Sequence, residues 1–292
     1  MQEWDATILE ECLLLLQENK ELILACRSEE GGSAYRVDGS QAFAIPKDHK
    51  GKSLLEYEVP NWEGLTFKRL LTQGIYFYHL DPQLMRNPTP FAPSPCLTPR
   101  GENLSQWLFN LQNRYPQSYD RILKVIQDLL PVDRILFPPR HQAGFSALSL
   151  FERDYSRPIP IEHVADGVLC LLAFLSLLFG PLMNPQDAVF LIEEPENHLH
   201  PVLLEVLVEL LTQEQRAEEP RSPQLFATTH STELLNFLEL EDVFLVRKMN
   251  GATQLEPADS KHKARELLSR CELSVSDLVY SGALDEDSLP AR

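Results

Sequence analysis

From residue 161 onward, apolar runs long enough for helices alternate with apolar runs short enough for strands. This alternation restricts the fold more than any other feature of the chain. "VLCLLAFLSLLFG" is apolar on every side and predicts a buried helix over about 167 to 179. "AVFLI", residues 188 to 192, predicts a strand. "PVLLEVLVELLTQEQRAEE" predicts a helix, with Pro201 suited to its first turn. "QLFATTHS" and "EDVFLVRKMNG" predict two more short strands. Strands joined through helices cross over right-handedly and pair in parallel, so the expected fold class is α/β with a parallel sheet. Ligands of such sheets gather at the carboxyl ends of the strands. Glu193, Glu194 and His230 fall at those ends.

The remainder is less regular. Residues 1 to 60 read as β-rich: "ELILAC" is a short apolar run, "EEGG" a turn, and "AYRVDGSQAFAI" alternates about Asp38-Gly39 as a hairpin does. Six prolines between 82 and 99 predict a loop or linker. Residues 103 to 130 predict two helices, one with Trp107, Leu108 and Leu111 on a face, the other with Ile122, Val125, Ile126 and Leu129. Residues 131 to 140 are again broken by proline, and 261 to 280 carry one or two further short helices. The expected organisation is a β-rich part at 1–60, a Pro-rich linker with helical insertion at 61–157, a core at 158–250 and a tail at 251–292.

Composition excludes several classes. A net charge of −17 argues against a surface that grips nucleic acid by neutralising phosphates. Five scattered cysteines without C-x-x-C spacing argue against a disulfide framework or zinc site and for reduced thiols in the cytoplasm. The N-terminus "MQEWDATILEE" is acidic and does not read as a secretory signal. The apolar stretch 168 to 183 falls short of the roughly 20 residues that span a bilayer, so a core helix is expected and no membrane partner.

Adjacent residues leaving a strand point to opposite sides, so Glu193 and Glu194 should not share a role. One carboxylate can hold hydrated magnesium, a hard cation that prefers oxygen. The other can orient or deprotonate a water aimed at a phosphate. Two solvated acids capping a strand are the plainer alternative. His230 can sense a γ-phosphate, or simply precede a helix that Ser231 caps. Asp166-Gly167 can present a helix N-terminus to an anion, or serve only as its start. His198 and His200 can be taken for metal ligands.

The order and spacing of these elements resemble the ABC-type ATPase core of the RecF and SMC group, in particular the AAA-family ATPases of the overcoming-lysogenization-defect kind. The signature turn, typically Leu-Ser-Asp-Gly before a long apolar helix, is matched by Val164, Ala165, Asp166 and Gly167. The Walker B strand is matched by Ile192, Glu193, Glu194, Pro195, Glu196 and Asn197, and the D-loop ending by Leu199, His200 and Pro201. The switch is matched by Thr228 to Ser231. "RGENLSQWLFNLQ" and "LSVSDLVYSGAL" also look familiar, and the likeness covers about residues 60 to 284. It implies a P-loop NTPase core with a helical insertion, using Mg2+ and ATP. Glu193 would hold magnesium, Glu194 would activate water, and His230, flanked by Thr229 and Ser231, would contact the γ-phosphate. Ala165, Asp166 and Gly167 would reach a nucleotide on the opposite subunit of a head-to-tail homodimer. Asn197 and His200 would lie at that dimer interface, and the match favours a D-loop over metal ligation by His198 and His200. DNA maintenance or anti-phage defence is the implied setting, with DNA or a nuclease as an indirect partner.

Two departures bear on this. Ala165 stands where the family's serine would offer a hydroxyl to a phosphate. The phosphate-binding loop G-x-x-x-x-G-K-[ST] is absent from the sequence. "PKDHKGKS", residues 46 to 53, ends as that motif does, but Pro46 replaces the first glycine and has no N–H to donate. The core is therefore expected to be incomplete at its N-terminal side, as a truncated product, a split ATPase completed by a partner chain, or a non-catalytic pseudo-ATPase.

Overall fold

Short apolar runs joined by tight turns between 10 and 45 form an antiparallel sheet in the order β1-β2-β3-β4: β1 (Glu10–Gln17), β2 (Lys20–Ser28), β3 (Gly31–Tyr35) and β4 (Gln41–Ile45). The structure, a computed structural model, describes residues 10–17, 20–28, 31–45, 53, 56, 64–90, 94–138, 145–181, 188–215, 224–249, 251–260 and 274–280. The β3–β4 hairpin turns at Asp38-Gly39: Gly39 takes φ +82°, and its N–H donates to the Arg36 carbonyl at 2.8 Å. Leu24, Ala25, Ala34 and Ile45 form the core here, with Leu65 of helix α1 (Gly64–Arg69) against them. Glu29, Glu30 and residues 46–52, and thus most of the "PKDHKGKS" run, lie outside the described residues.

The chain divides into two compact units, residues 1–76 with 187–189, and residues 77–186 with 190–292. β5 (Ile75–Tyr78) leads into the second, followed by α2 (Pro82–Met85). Asp81 caps α2, its carboxylate accepting from the Gln83 N–H at 2.9 Å. β6 (Thr89–Pro90) follows, and then the two expected helices, α3 (Leu104–Arg114) and α4 (Pro116–Leu129). Trp107, Leu108 and Leu111 are buried on α3, and Ile122 and Ile126 on α4, whose Pro116 sits in the first turn. Between Pro131 and Pro138, where sequence suggested only a broken stretch, β7 (Val132–Leu136) forms. The prolines flank that strand and so cost it no ladder bond. β8 (Phe145–Ser146) pairs with β6, while β9 (Ser149–Glu152) joins β7 and β10 (Ile159–Pro160) in a small antiparallel sheet.

Helix α5 (Asp166–Phe179) occupies the middle of the second unit. Eleven consecutive residues, Leu169 to Phe179, are buried. Burying each leucine contributes roughly 1.5–3 kcal/mol, which is why this helix is a core element. Among the described residues, no helix is long and apolar enough to cross a membrane. β11 (Val189–Glu193), α6 (Pro201–Gln215) and β12 (Gln224–Thr228) complete a parallel sheet in the order β12-β11-β5, giving the α/β fold. Tyr78 of β5 meets Phe190 of β11 edge to face at 5.4 Å. Arg121 of α4 lies 4.1 Å over the Phe179 ring and pairs with Glu214 of α6. After α7 (Thr232–Asn236), the hairpin β13 (Phe244–Met249) and β14 (Ala252–Pro257) leads to a last helix, Val275–Tyr280. Leu235, Leu240, Ala258 and Leu278 hold this end together.

Candidate functional site

Three parallel strands end at one edge of the sheet, and polar residues follow each of them: His79 after β5, Glu193 and Glu194 at β11, Thr229 and His230 after β12. The two glutamates diverge as alternation requires. Glu193 projects into solvent, its side chain 64% exposed, with Oε2 3.1 Å from His79 Nδ1. Glu194 is drawn into the turn. Its N–H donates to the Thr228 carbonyl at 3.0 Å, and its Oε2 accepts from Asn197 Nδ2 at 2.7 Å.

That turn is strained. Glu194 has φ +43° and His198 φ +70°, in the left-handed region that side chains other than glycine disfavour. Such positions cost of order 1–3 kcal/mol and persist where surrounding bonds over-determine them. Here the Asn197 N–H donates to the Glu194 carbonyl and the Leu199 N–H to the Glu196 carbonyl, both at 3.0 Å. His200 then caps α6, Nδ1 accepting from the Val202 N–H at 3.4 Å. His79, Phe174, Glu193, Glu194, Asn197 and His198 line a small cleft at the edge.

His230 stands outside that lining and is tied to the turn by Glu196. One oxygen of Glu196 accepts from Thr229 Oγ1 at 2.7 Å and from the His230 N–H at 3.1 Å. Its other oxygen is buried without a hydrogen-bond partner among the described residues. Ser231 caps α7, Oγ accepting from the Leu234 N–H at 3.2 Å.

The turn at Val164–Gly167 reaches the same neighbourhood. Ala165 is the N-cap of α5, and its carbonyl accepts from the N–H groups of Val168 and Leu169 at 3.1 and 3.2 Å. A Cβ on Gly167 would lie 2.6 Å from the His198 carbonyl oxygen, so only glycine allows this approach. Asp166 Oδ2 is 3.7 Å from His198 Nδ1, and Asp166 Oδ1 accepts from Arg86 Nη2 at 2.5 Å. One turn along, burial foremost and then the Asp166 charge push the Cys170 thiol up to about 12, leaving it a packing residue.

The structure thus brings Glu193, Glu194 and Asn197 to one cleft, with Asp166 and Gly167 against the His198 end of the turn. Thr229 and His230 connect through Glu196. Sequence reasoning gave no role to His79, Arg86 or Glu196. His79 carried only a weak signal, the four apolar residues "IYFY" before a polar one. Arg86 carried none, being 80 positions from Asp166 within a proline-rich stretch.

The Glu193 carboxylate is an exposed hard oxygen donor of the kind magnesium takes, while among the described residues no group of three or more His, Cys, Asp or Glu side chains is placed to hold a metal ion. The amides of Glu194 and His230 are not available to cradle phosphates, since the first donates to the Thr228 carbonyl of β12 and the second to Glu196.

Residues 91–236 match the model of a family described as "AAA domain, putative AbiEii toxin, Type IV TA system". No curated protein matches the chain. Among solved structures, one described as "Structural biochemistry of ATP-driven dimerization and DNA stimulated activation of SMC ATPases" is similar at 14% identity. The likeness covers 57% of this chain and 98% of that one, with a TM-score of 0.39.

Proposed function

Because the chain belongs to this AAA-domain family, we propose that the sheet edge is the hydrolytic side of a magnesium-dependent ATP site. Glu193 holds the metal and Glu194 activates the attacking water. The observation that carries this reading is the different treatment of two adjacent carboxylates. Glu193 is left open beside His79, while Glu194 is fixed by Asn197 at a strained φ of +43°. An acid aimed by a hydrogen bond suits a base that must meet water in one direction. Magnesium, when bound, would neutralise phosphate charge and polarise the bond to be cleaved. His230, with Thr229 and Ser231 beside it, contacts the terminal phosphate, and Glu196 keeps that segment in register with the Glu194 turn. Ala165, Asp166 and Gly167 face a nucleotide held by a second subunit, and Asn197 and His200 line the interface of that dimer. Cytoplasmic action, with DNA or a nuclease as a downstream partner, follows from the family analogy.

A second reading is favoured by the sequence lacking G-x-x-x-x-G-K-[ST]: a non-catalytic or split-ATPase subunit that acts as a binding or regulatory module. One experiment addresses both. Mn2+, as a paramagnetic stand-in for magnesium, is titrated into the full chain and followed by electron paramagnetic resonance. Saturable binding is expected, lost in Glu193→Gln and kept in Glu194→Gln. Binding that ignores Glu193→Gln removes the metal role, and no saturable binding in the wild type moves the chain to the non-catalytic reading.

A further inference from the structure

The turn that opens α5 has backbone bonds but no side-chain cap to hold it. Ala165 brings no side-chain oxygen to the N-cap, and Gly167 is the least restrained residue type. Arg86 holds it from outside. Its Nη1 donates to the Pro82 carbonyl at 2.8 Å, and its Nη2 donates to the Val164 carbonyl at 2.6 Å and to Asp166 Oδ1 at 2.5 Å. The Arg86 side chain is only 17% exposed, and a guanidinium stays charged and directs its donors in a rigid fork. On the opposite side, Asp166 faces His198 Nδ1 at 3.7 Å, and Gly167 closes on the His198 carbonyl. The 164–167 turn is therefore seated between Arg86 and the strained turn that carries Glu194.

We infer that Arg86 is a positioning residue: it locks the 164–167 turn onto the 194–200 turn and cancels the Asp166 charge there. The two turns then keep one geometry, and a phosphate approaching the start of α5 meets no bare carboxylate. The identity of that anion rests on the proposed ATP site; the mechanical coupling does not.

The test is hydrogen–deuterium exchange by mass spectrometry on the full chain, without nucleotide or metal. Arg86→Gln is expected to speed exchange about tenfold in segments 161–170 and 194–200, and to leave α4 unchanged. Arg86→Lys should rescue only part of this, because its ammonium still neutralises Asp166 but cannot span the Pro82 and Val164 carbonyls as the guanidinium fork does; no rescue at all overturns the charge-based account. If 161–170 loosens while 194–200 exchanges as in the wild type, the coupling is overturned, and no change in either segment removes Arg86 altogether. Should Arg86→Gln loosen every segment, Asp166→Asn decides. That variant keeps the Arg86 bonds to Pro82 and Val164, and it must still loosen 194–200, or the inference fails. A chain that never binds Mn2+ leaves this result standing, and failed coupling leaves the Glu193 reading untouched.

Discussion

Helices α5 and α7 both begin beside the sheet edge, yet they begin by different means. The start of α7 carries its own side-chain cap: Ser231 sits three residues before the N–H it caps, and Glu233 completes the local network. The start of α5 has alanine at the same position and borrows its restraint from Arg86, 80 positions away, and from the His198 carbonyl. A side-chain cap forms wherever its short segment turns helical. A borrowed one exists only after distant segments have packed, so it reports on their packing. Both starts touch the glutamate-bearing loop, that of α7 through Glu196 and that of α5 through the His198 carbonyl, but only α5 lacks a side-chain cap of its own.

The contact between the two turns is tightest at Gly167. Gly167→Ala would set a Cβ 2.6 Å from a backbone oxygen that cannot rotate away. A loss of about 1–3 kcal/mol is expected in urea unfolding of the full chain, as for other overpacked sites. A loss below about 0.5 kcal/mol would mean that the two turns separate easily.

The caps themselves come next. Ser231→Ala should cost about 1 kcal/mol by removing the bond to the Leu234 N–H. Ala165→Ser should do the reverse. The position is exposed and extended (φ −61°, ψ 144°), so a new hydroxyl can cap α5 and contribute about 0.5–1 kcal/mol. If Ala165→Ser stabilises nothing, the turn is already fully restrained by its distant partners.

The smallest effect concerns pH. A backbone hydrogen bond at Glu233 itself, followed by the hydroxyls of Ser231 and Thr232, holds this carboxyl below its ordinary value of 4.5. A carboxyl lowered by folding stabilises the folded state above its ordinary value, and that contribution is lost as pH falls through the folded value. Acid below about pH 4.5 should therefore fray the first turn of α7, seen in amide exchange, and Glu233→Gln should flatten the dependence. Equal acid sensitivity in that variant would place the titrating group elsewhere.

Much of the fold was legible because its signals are local. The all-round apolar run gave α5, the apolar stretch before Glu193 gave β11, and Asp38-Gly39 gave the β3–β4 turn. β5 was missed because four residues, "IYFY", carry too little period to separate them from their surroundings. β7 was missed because its flanking prolines resemble a break when they are in fact its ends. In the site, the carboxylates were legible from apolar residues running into acids. The Glu196 bridge was not, since its partners Thr229 and His230 are contributed by a different strand end.

Period, proline and capping act over a few residues, so most of the helices and strands, and the acids at the sheet edge, were readable from the sequence. It also determined that no G-x-x-x-x-G-K-[ST] loop is encoded in these 292 residues. Only the tertiary structure decided that Glu193 stays open while Glu194 is fixed at φ +43°, and that Arg86 restrains Asp166. Those outcomes depend on hydrogen bonds and close contacts between residues that packing alone brings together, and no local pattern records them.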